Sequence, residues 1–152
     1  EIGNLDDLND KIPPDHREFL TNMPWCVEHP QLLFVHAGLN PNLQFATQLR
    51  ILHQKDPSLN RPEWLCERAF VEADPPQDCP LTVVSGHVRV PEVQFRPKRI
   101  LTDTTGGTDG DLSCVLMPEK KVITSASRPT TSVRRKPTTV SAAQSSWWNL
   151  WG

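Results

Sequence analysis

The sequence predicts an α/β chain, and three observations carry that prediction. Residues 31–36 are a short, continuous apolar run, the pattern of a strand buried on both faces, and a second short apolar strand is expected at 81–85. Between them, 43–53 and 61–72 carry apolar residues at near-helical spacing. Beyond residue 90, short β segments are expected at 93–95, 99–103 and 112–117, with 121–124 returning across the Pro118-Glu119-Lys120 turn.

Taken in order, residues 4–29 are acidic and in part helix-compatible. Pro13-Pro14-Asp15-His16-Arg17-Glu18-Phe19-Leu20 reads as a helix start, with proline in the first turn and acids near the positive end of the helix dipole. After the run at 31–36, Pro41 and Asn42 open a loop. The 43–53 segment carries Leu43, Ala46, Leu49 and Leu52 at near-helical spacing, and 61–72 does the same with Pro62, Trp64, Leu65, Ala69 and Phe70. Asp74-Pro75-Pro76-Gln77-Asp78 ends the second of these, since two prolines cannot continue a helix. Gly106-Gly107-Thr108-Asp109-Gly110 can only be a loop. After Thr124 the composition changes to serine, threonine, proline and arginine without periodicity. The folded domain is therefore expected over 1–124 and a disordered tail over 125–152. There is no internal repeat.

With 152 residues, 37% of them apolar, the chain can bury one modest core. Its net charge of −2 argues against a dedicated nucleic-acid binder. The charge is uneven: 125–152 hold Arg128, Arg134, Arg135 and Lys136 and no acid, so the remaining residues carry −6. No apolar run could span a bilayer. The chain opens on Glu1 with no charged-then-apolar leader, which reads as a start inside a longer protein or after processing. Cys26, Cys66, Cys79 and Cys114 include no C-x-x-C pair. They suit reduced thiols better than a zinc knot or a disulfide framework, which points to the cytoplasm, with the nucleus also open to such a chain.

The residues that carry chemistry are a pair of histidines in matched settings. Leu32-Leu33-Phe34-Val35-His36-Ala37-Gly38-Leu39 and Leu81-Thr82-Val83-Val84-Ser85-Gly86-His87 each bring an imidazole just past the carboxyl end of a buried strand, beside a glycine. Open sheets hold their ligand sites at that edge. His36 and His87 are therefore the candidate metal ligands. Singly, a histidine there is more often a hydrogen-bonded strand cap than a metal ligand, and the joint pattern is what favours a metal. His16, His29 and His53 have no such setting and read as solvated. Ser85 lacks a Gly-x-Ser-x-Gly elbow, which leaves a serine-hydrolase triad a poor fit.

Val35-His36-Ala37-Gly38-Leu39, Gly86-His87 and the loop Asp103-Thr104-Thr105-Gly106-Gly107 together resemble the C-terminal half of a calcineurin-like metallophosphoesterase. The resemblance is to the phosphoprotein phosphatase branch, and within it to the bacterial-like, Rhizobiales-like phosphatases of plants; bis(nucleosyl)-tetraphosphatases are more distant. It covers residues 1–124. It implies a sandwich of two mixed sheets flanked by helices, here truncated at the N-terminus. It also implies two divalent metal ions (manganese, iron or zinc) in an intact parent, with His36 and His87 on the same ion. The implied reaction is hydrolysis of a phosphomonoester, on a phosphorylated protein and in that branch preferentially on phosphotyrosine. The family's Asp-x-His-Gly, Gly-Asp-x-x-Asp-Arg-Gly and Gly-Asn-His elements, which supply the bridging aspartate, the remaining ligands and the general acid, do not occur in this sequence. No catalytic residue is therefore assigned, and this chain alone is expected to bind at most one ion, weakly.

Two further residues have a place in that resemblance. Arg68, in Trp64-Leu65-Cys66-Glu67-Arg68, corresponds to a region from which relatives send an arginine to the substrate phosphate. Equally, it reads as a solvated helix arginine paired with Glu63, Glu67 or Glu72. Asp103 would orient backbone or a ligating histidine, or simply close an Asx turn at the strand end. Trp147, Trp148 and Trp151 in the tail form either an aromatic anchor for a partner or membrane surface or part of an unstructured extension. The rival to the phosphatase reading is a non-catalytic fragment or binding module that keeps only the two-histidine half-site.

Overall fold

A computed structural model of the chain describes residues 11–55 and 61–127. In chain order these form α1 (Pro14–Asn22), β1 (Cys26–His29), β2 (Leu32–Val35), α2 (Phe45–Gln54), a 3₁₀ turn (Glu63–Leu65), α3 (Arg68–Glu72), β3 (Thr82–Ser85), β4 (Gln94–Arg96), β5 (Arg99–Leu101), β6 (Ser113–Leu116), β7 (Lys121–Thr124) and a closing 3₁₀ turn (Ser125–Ser127). The architecture is mixed α/β. One five-stranded sheet runs in the order β1-β2-β3-β5-β4, and β6 and β7 form a separate two-stranded sheet. Strands β2, β3 and β5 are parallel, while β1 and β4 close the two edges antiparallel.

The parallel centre arises because each of its strands must return over the same face. Leu33 sits opposite Val83 and Val83 opposite Arg99, and that face is covered by α2 and the segments around Trp64 and Cys79. Leu33, Val83 and Leu101 are fully buried there, and Leu39, Phe45, Leu52, Trp64, Leu65 and Leu81 complete the core. Gln48 on α2 is also buried. Its amide accepts from Asn40 N–H and donates to the carbonyls of Asn40 and Leu43, so the loop after β2 is stitched to the helix that follows it.

The opposite face of the sheet is less covered. A single register row crosses all five strands as Val27, Phe34, Val84, Ile100 and Phe95. Within it Phe34 is 40% and Val27 53% exposed. The expectation that the 31–36 run is buried on both faces therefore holds for Leu32, Leu33 and Val35 but not for Phe34.

Three other expectations change. The 26–29 segment is an edge strand rather than part of a helix-compatible stretch, because the short Pro30-Gln31 link folds it back on β2 with Cys26 opposite Val35. The 61–72 helix is broken into a 3₁₀ turn and α3, with Glu67 extended between them. In an unbroken helix, residues 64, 68 and 71 would share one face. Burying both Trp64 and Val71 would then drag Arg68 into the core, and the break turns it out to solvent instead. Finally, ordered structure passes Thr124. The Ser125 hydroxyl accepts from Leu112 N–H and donates to the Asp111 carboxylate, which carries the hairpin on to Ser127. The remainder of the expected tail, 128–152, lies outside the described residues.

Candidate metal centre

The carboxyl ends of the three parallel strands lie side by side at one rim of the sheet. They lead into His36 from β2, Gly86-His87 from β3 and Thr102-Asp103 from β5. The rim is tied by backbone bonds: Gly86 N–H donates to the His36 carbonyl at 3.1 Å and Thr102 N–H to the Ser85 carbonyl at 3.0 Å. The two imidazoles meet there. His36 Nε2 and His87 Nδ1 are 2.8 Å apart, with ring centroids 4.6 Å apart and ring planes inclined at 59°. One nitrogen donates and the other accepts, so the pair shares a proton across the gap between two strands that are 51 residues apart in sequence.

His87 is placed by an unusual backbone. Its φ is +67°, and Val88 N–H donates to the Gly86 carbonyl at 2.8 Å, so His87 is the centre of a γ-turn of the positive-φ kind. A β-carbon in this region costs about 1–2 kcal/mol. That strain aims Nδ1, the ring nitrogen nearest the backbone, at His36.

The proton affinity of His36 is held below the ordinary imidazole value. Partial burial is the main cause, followed by the neighbouring His87 and the positive charge of Arg61, against which Asp103 acts weakly in the other direction. At neutral pH this leaves His36 as the free base, with a lone pair to offer a cation.

Asp103 is at the same rim, but its Oδ1 accepts from Gly106 N–H at 2.6 Å and Thr105 N–H at 3.2 Å. The carboxylate thus closes the glycine loop as an Asx turn and acts on His36 through its charge. Its carbonyl accepts from Val90 N–H at 2.8 Å, which fixes the strand of chain just after His87. Arg68 is exposed at the first residue of α3, and the arginine from this region whose charge reaches His36 is Arg61. His53 pairs with Glu28 at 3.2 Å on the surface, and His16 and His29 are exposed, all away from the rim. Cys26, Cys66, Cys79 and Cys114 are free thiols.

The donor set suits a divalent cation in part. His36 Nε2 and His87 Nδ1 would supply two nitrogen ligands to such an ion, and imidazole does not choose sharply among manganese, iron and zinc. Among the described residues, however, no group of three or more histidines, cysteines or carboxylates converges, so the pair supplies two ligands and no more. Among the same residues no helix is long and apolar enough to cross a membrane.

Two residues here were not singled out from the sequence. Arg61 lies in a proline-flanked loop and Arg99 inside a strand, and neither position carries a recognisable motif. No protein-family model matches the chain, and no curated protein is significantly similar to it.

Proposed function

We propose that His36 and His87 are two ligands to one metal ion in a metal-dependent phosphomonoester hydrolase of the calcineurin-like kind. This sequence would carry the histidine half of the centre. The observation that carries the reading is the 2.8 Å approach of His36 Nε2 to His87 Nδ1 at the carboxyl rim of a parallel sheet. The hydrogen bond between the two ring nitrogens spans the place a cation would take. The partly exposed face bearing Phe34 and Phe95 is compatible with a second sheet packed against it, as in a sandwich.

A divalent cation, when bound, supplies Lewis-acid polarisation of a phosphoryl oxygen and acidifies a coordinated water. Manganese, iron or zinc could serve, because histidine ligands do not choose sharply among them. The chain's own residues do the rest of what this half can do. The His87 γ-turn orients one donor, the Gly86–His36 backbone bond fixes the other strand end, and the Asp103 charge offsets part of the repulsion between cation and Arg61. Arg61 is the better candidate than Arg68 for holding a substrate phosphate, because its charge already acts at His36. Phosphorylated proteins, with phosphotyrosine foremost, are the proposed substrates of the intact enzyme, acting in the cytoplasm.

A second reading is favoured by one observation: no carboxylate joins the two histidines among the described residues. On that reading this chain by itself is non-catalytic and holds one ion loosely. Titration with Mn²⁺ followed by electron paramagnetic resonance, beside turnover of p-nitrophenyl phosphate, tests both. The expected result is weak one-to-one Mn²⁺ binding that disappears in the His36→Ala, His87→Ala double variant, with no Mn²⁺-dependent turnover by the chain alone. Binding unchanged in the double variant would overturn the metal assignment. Turnover that the double variant loses would overturn the non-catalytic reading.

A further inference from the structure

We propose that Arg99 is a positioning residue for the histidine pair, a clamp that sets the distance between the two strand ends on which His36 and His87 stand; the metal consequence drawn from it rests on the function proposed above. Arg99 begins β5, the third strand of the parallel set, on the helix-covered face opposite Val83, and it is completely buried. Its Nη2 donates to the Ala37 carbonyl at 2.8 Å and to Ser85 Oγ at 3.2 Å. Ala37 directly follows His36, and Ser85 stands two residues before His87. A single guanidinium nitrogen therefore bridges the ends of β2 and β3. Nη1 donates to the Ala73 carbonyl at 2.7 Å, just after α3, which braces the clamp from behind.

The cost of this arrangement is what points to a task. Among the described residues no carboxylate is in ion-pair contact with Arg99, and its Nε has no hydrogen-bond partner. Taking a cation out of water on those terms is unfavourable, and an aliphatic side chain would fill a position beside Val83 and Leu101 more cheaply. What an aliphatic residue could not do is donate at once to two different strand ends. Space has also been cleared for it. A β-carbon at Gly38 would lie 2.0 Å from the Phe70 carbonyl oxygen and 2.8 Å from Arg99 Nη2, so the Phe70 backbone is the first reason for glycine there, and the missing side chain also leaves the guanidinium room beside Ala37. The backbone bonds at the rim remain without Arg99, so its loss should misplace the imidazoles rather than dissolve the sheet.

The test uses the full chain, Mn²⁺ as the probe, and the imidazole ¹⁵N resonances of His36 and His87 as a readout that needs no metal. Arg99→Met should weaken Mn²⁺ binding by roughly 10–100-fold, the range for residues that orient metal ligands, and should shift both imidazole signals as the shared proton is lost. Arg99→Lys, which keeps the charge and one reaching donor, should recover part of both. Leu52→Ala, a core truncation in α2, should lower the melting temperature while leaving Mn²⁺ affinity within about two-fold and the imidazole signals in place. Unchanged imidazole signals in folded Arg99→Met would overturn the clamp, as would a loss in Leu52→Ala as large as that in Arg99→Met. Should Arg99→Met not fold, Arg99→Lys decides, and wild-type signals in that variant would overturn the proposal. Mn²⁺ binding no tighter in the wild type than in His36→Ala would sink the metal reading alone, because the imidazole signals still report the clamp.

Discussion

Replacing His87 separates what its side chain does from what its backbone costs. With φ at +67° and Val88 N–H bound to the Gly86 carbonyl, any residue with a β-carbon at this position is strained, and glycine is not. His87→Ala and His87→Gly both lose the imidazole and its bond to His36, so that loss cancels when the two variants are compared with each other. What remains is relief of about 1–2 kcal/mol of left-handed strain in the glycine variant. Against it stands roughly 0.5–1 kcal/mol for glycine's extra freedom in the unfolded chain. The net is about 0–1.5 kcal/mol in favour of glycine. For a chain of this size that is a melting temperature up to about 6 °C higher in His87→Gly than in His87→Ala. Differential scanning calorimetry at pH 7.5 without metal reads it directly, and Mn²⁺ should raise the melting temperature of neither variant. The usual order, alanine above glycine, would refute the γ-turn and with it the account of how Nδ1 is aimed.

The other expectations are quickly stated. Gly38→Ala brings a β-carbon to 2.0 Å from the Phe70 carbonyl oxygen, so the backbone must shift by more than an ångström; a loss of roughly 1–3 kcal/mol or more is expected in urea unfolding, together with weaker Mn²⁺ binding. Gln48→Leu strips three hydrogen bonds from the 40–43 loop and leaves its buried polar groups unmatched, for a loss of roughly 2–4 kcal/mol in the same assay. Leu33→Ala opens a cavity at the centre of the sheet and should cost about 2–5 kcal/mol, with an unchanged denaturant slope. Burial raises the thiol pKa of both Cys26 and Cys79 in the folded state, helped at Cys26 by Glu28. The unfolded thiols ionise first as pH rises, so this contribution is complete below about pH 8.5 and is lost progressively above it. Urea midpoints at pH 7.5 and pH 10 should therefore diverge less in Cys79→Ala than in the wild type, and in native protein a thiol reagent should modify exposed Cys114 before either buried cysteine.

How far the sequence could be read depended on whether a residue's surroundings are local. β2 and β3 were legible because each is a short apolar run, and such runs end at a rim. That their histidines would approach to 2.8 Å followed only from reading the two ends together. β1 was not legible, because Cys26-Val27-Glu28-His29 buries a single residue and owes its conformation to pairing with β2 rather than to its own pattern. The 61–72 stretch carried a helical stripe that tertiary packing overrode, with Trp64 and Val71 buried at the expense of continuity. Arg99 was hidden most completely. In Lys98-Arg99-Ile100-Leu101 it looks like the solvated start of a strand, and only the parallel register that sets it against Val83 makes it interior. Three of the positions where local preference fails lie at or beside the rim. A histidine occupies a glycine's conformation at 87, a glycine at 38 admits no β-carbon, and a buried cation at 99 lacks a contacting carboxylate. None of these is what a sheet alone would choose: glycine would relieve the backbone at 87, a leucine would fill 99 without burying a cation, and at 38 glycine is required by the Phe70 carbonyl as well as by the room Arg99 takes. Each instead bears on the separation and aim of His36 Nε2 and His87 Nδ1. Left-handed backbone also occurs at Lys55 and Lys120, a helix end and a hairpin turn where it is routine; at His87 it falls at a strand end beside a buried cation, which is what a site under geometric demand should leave behind.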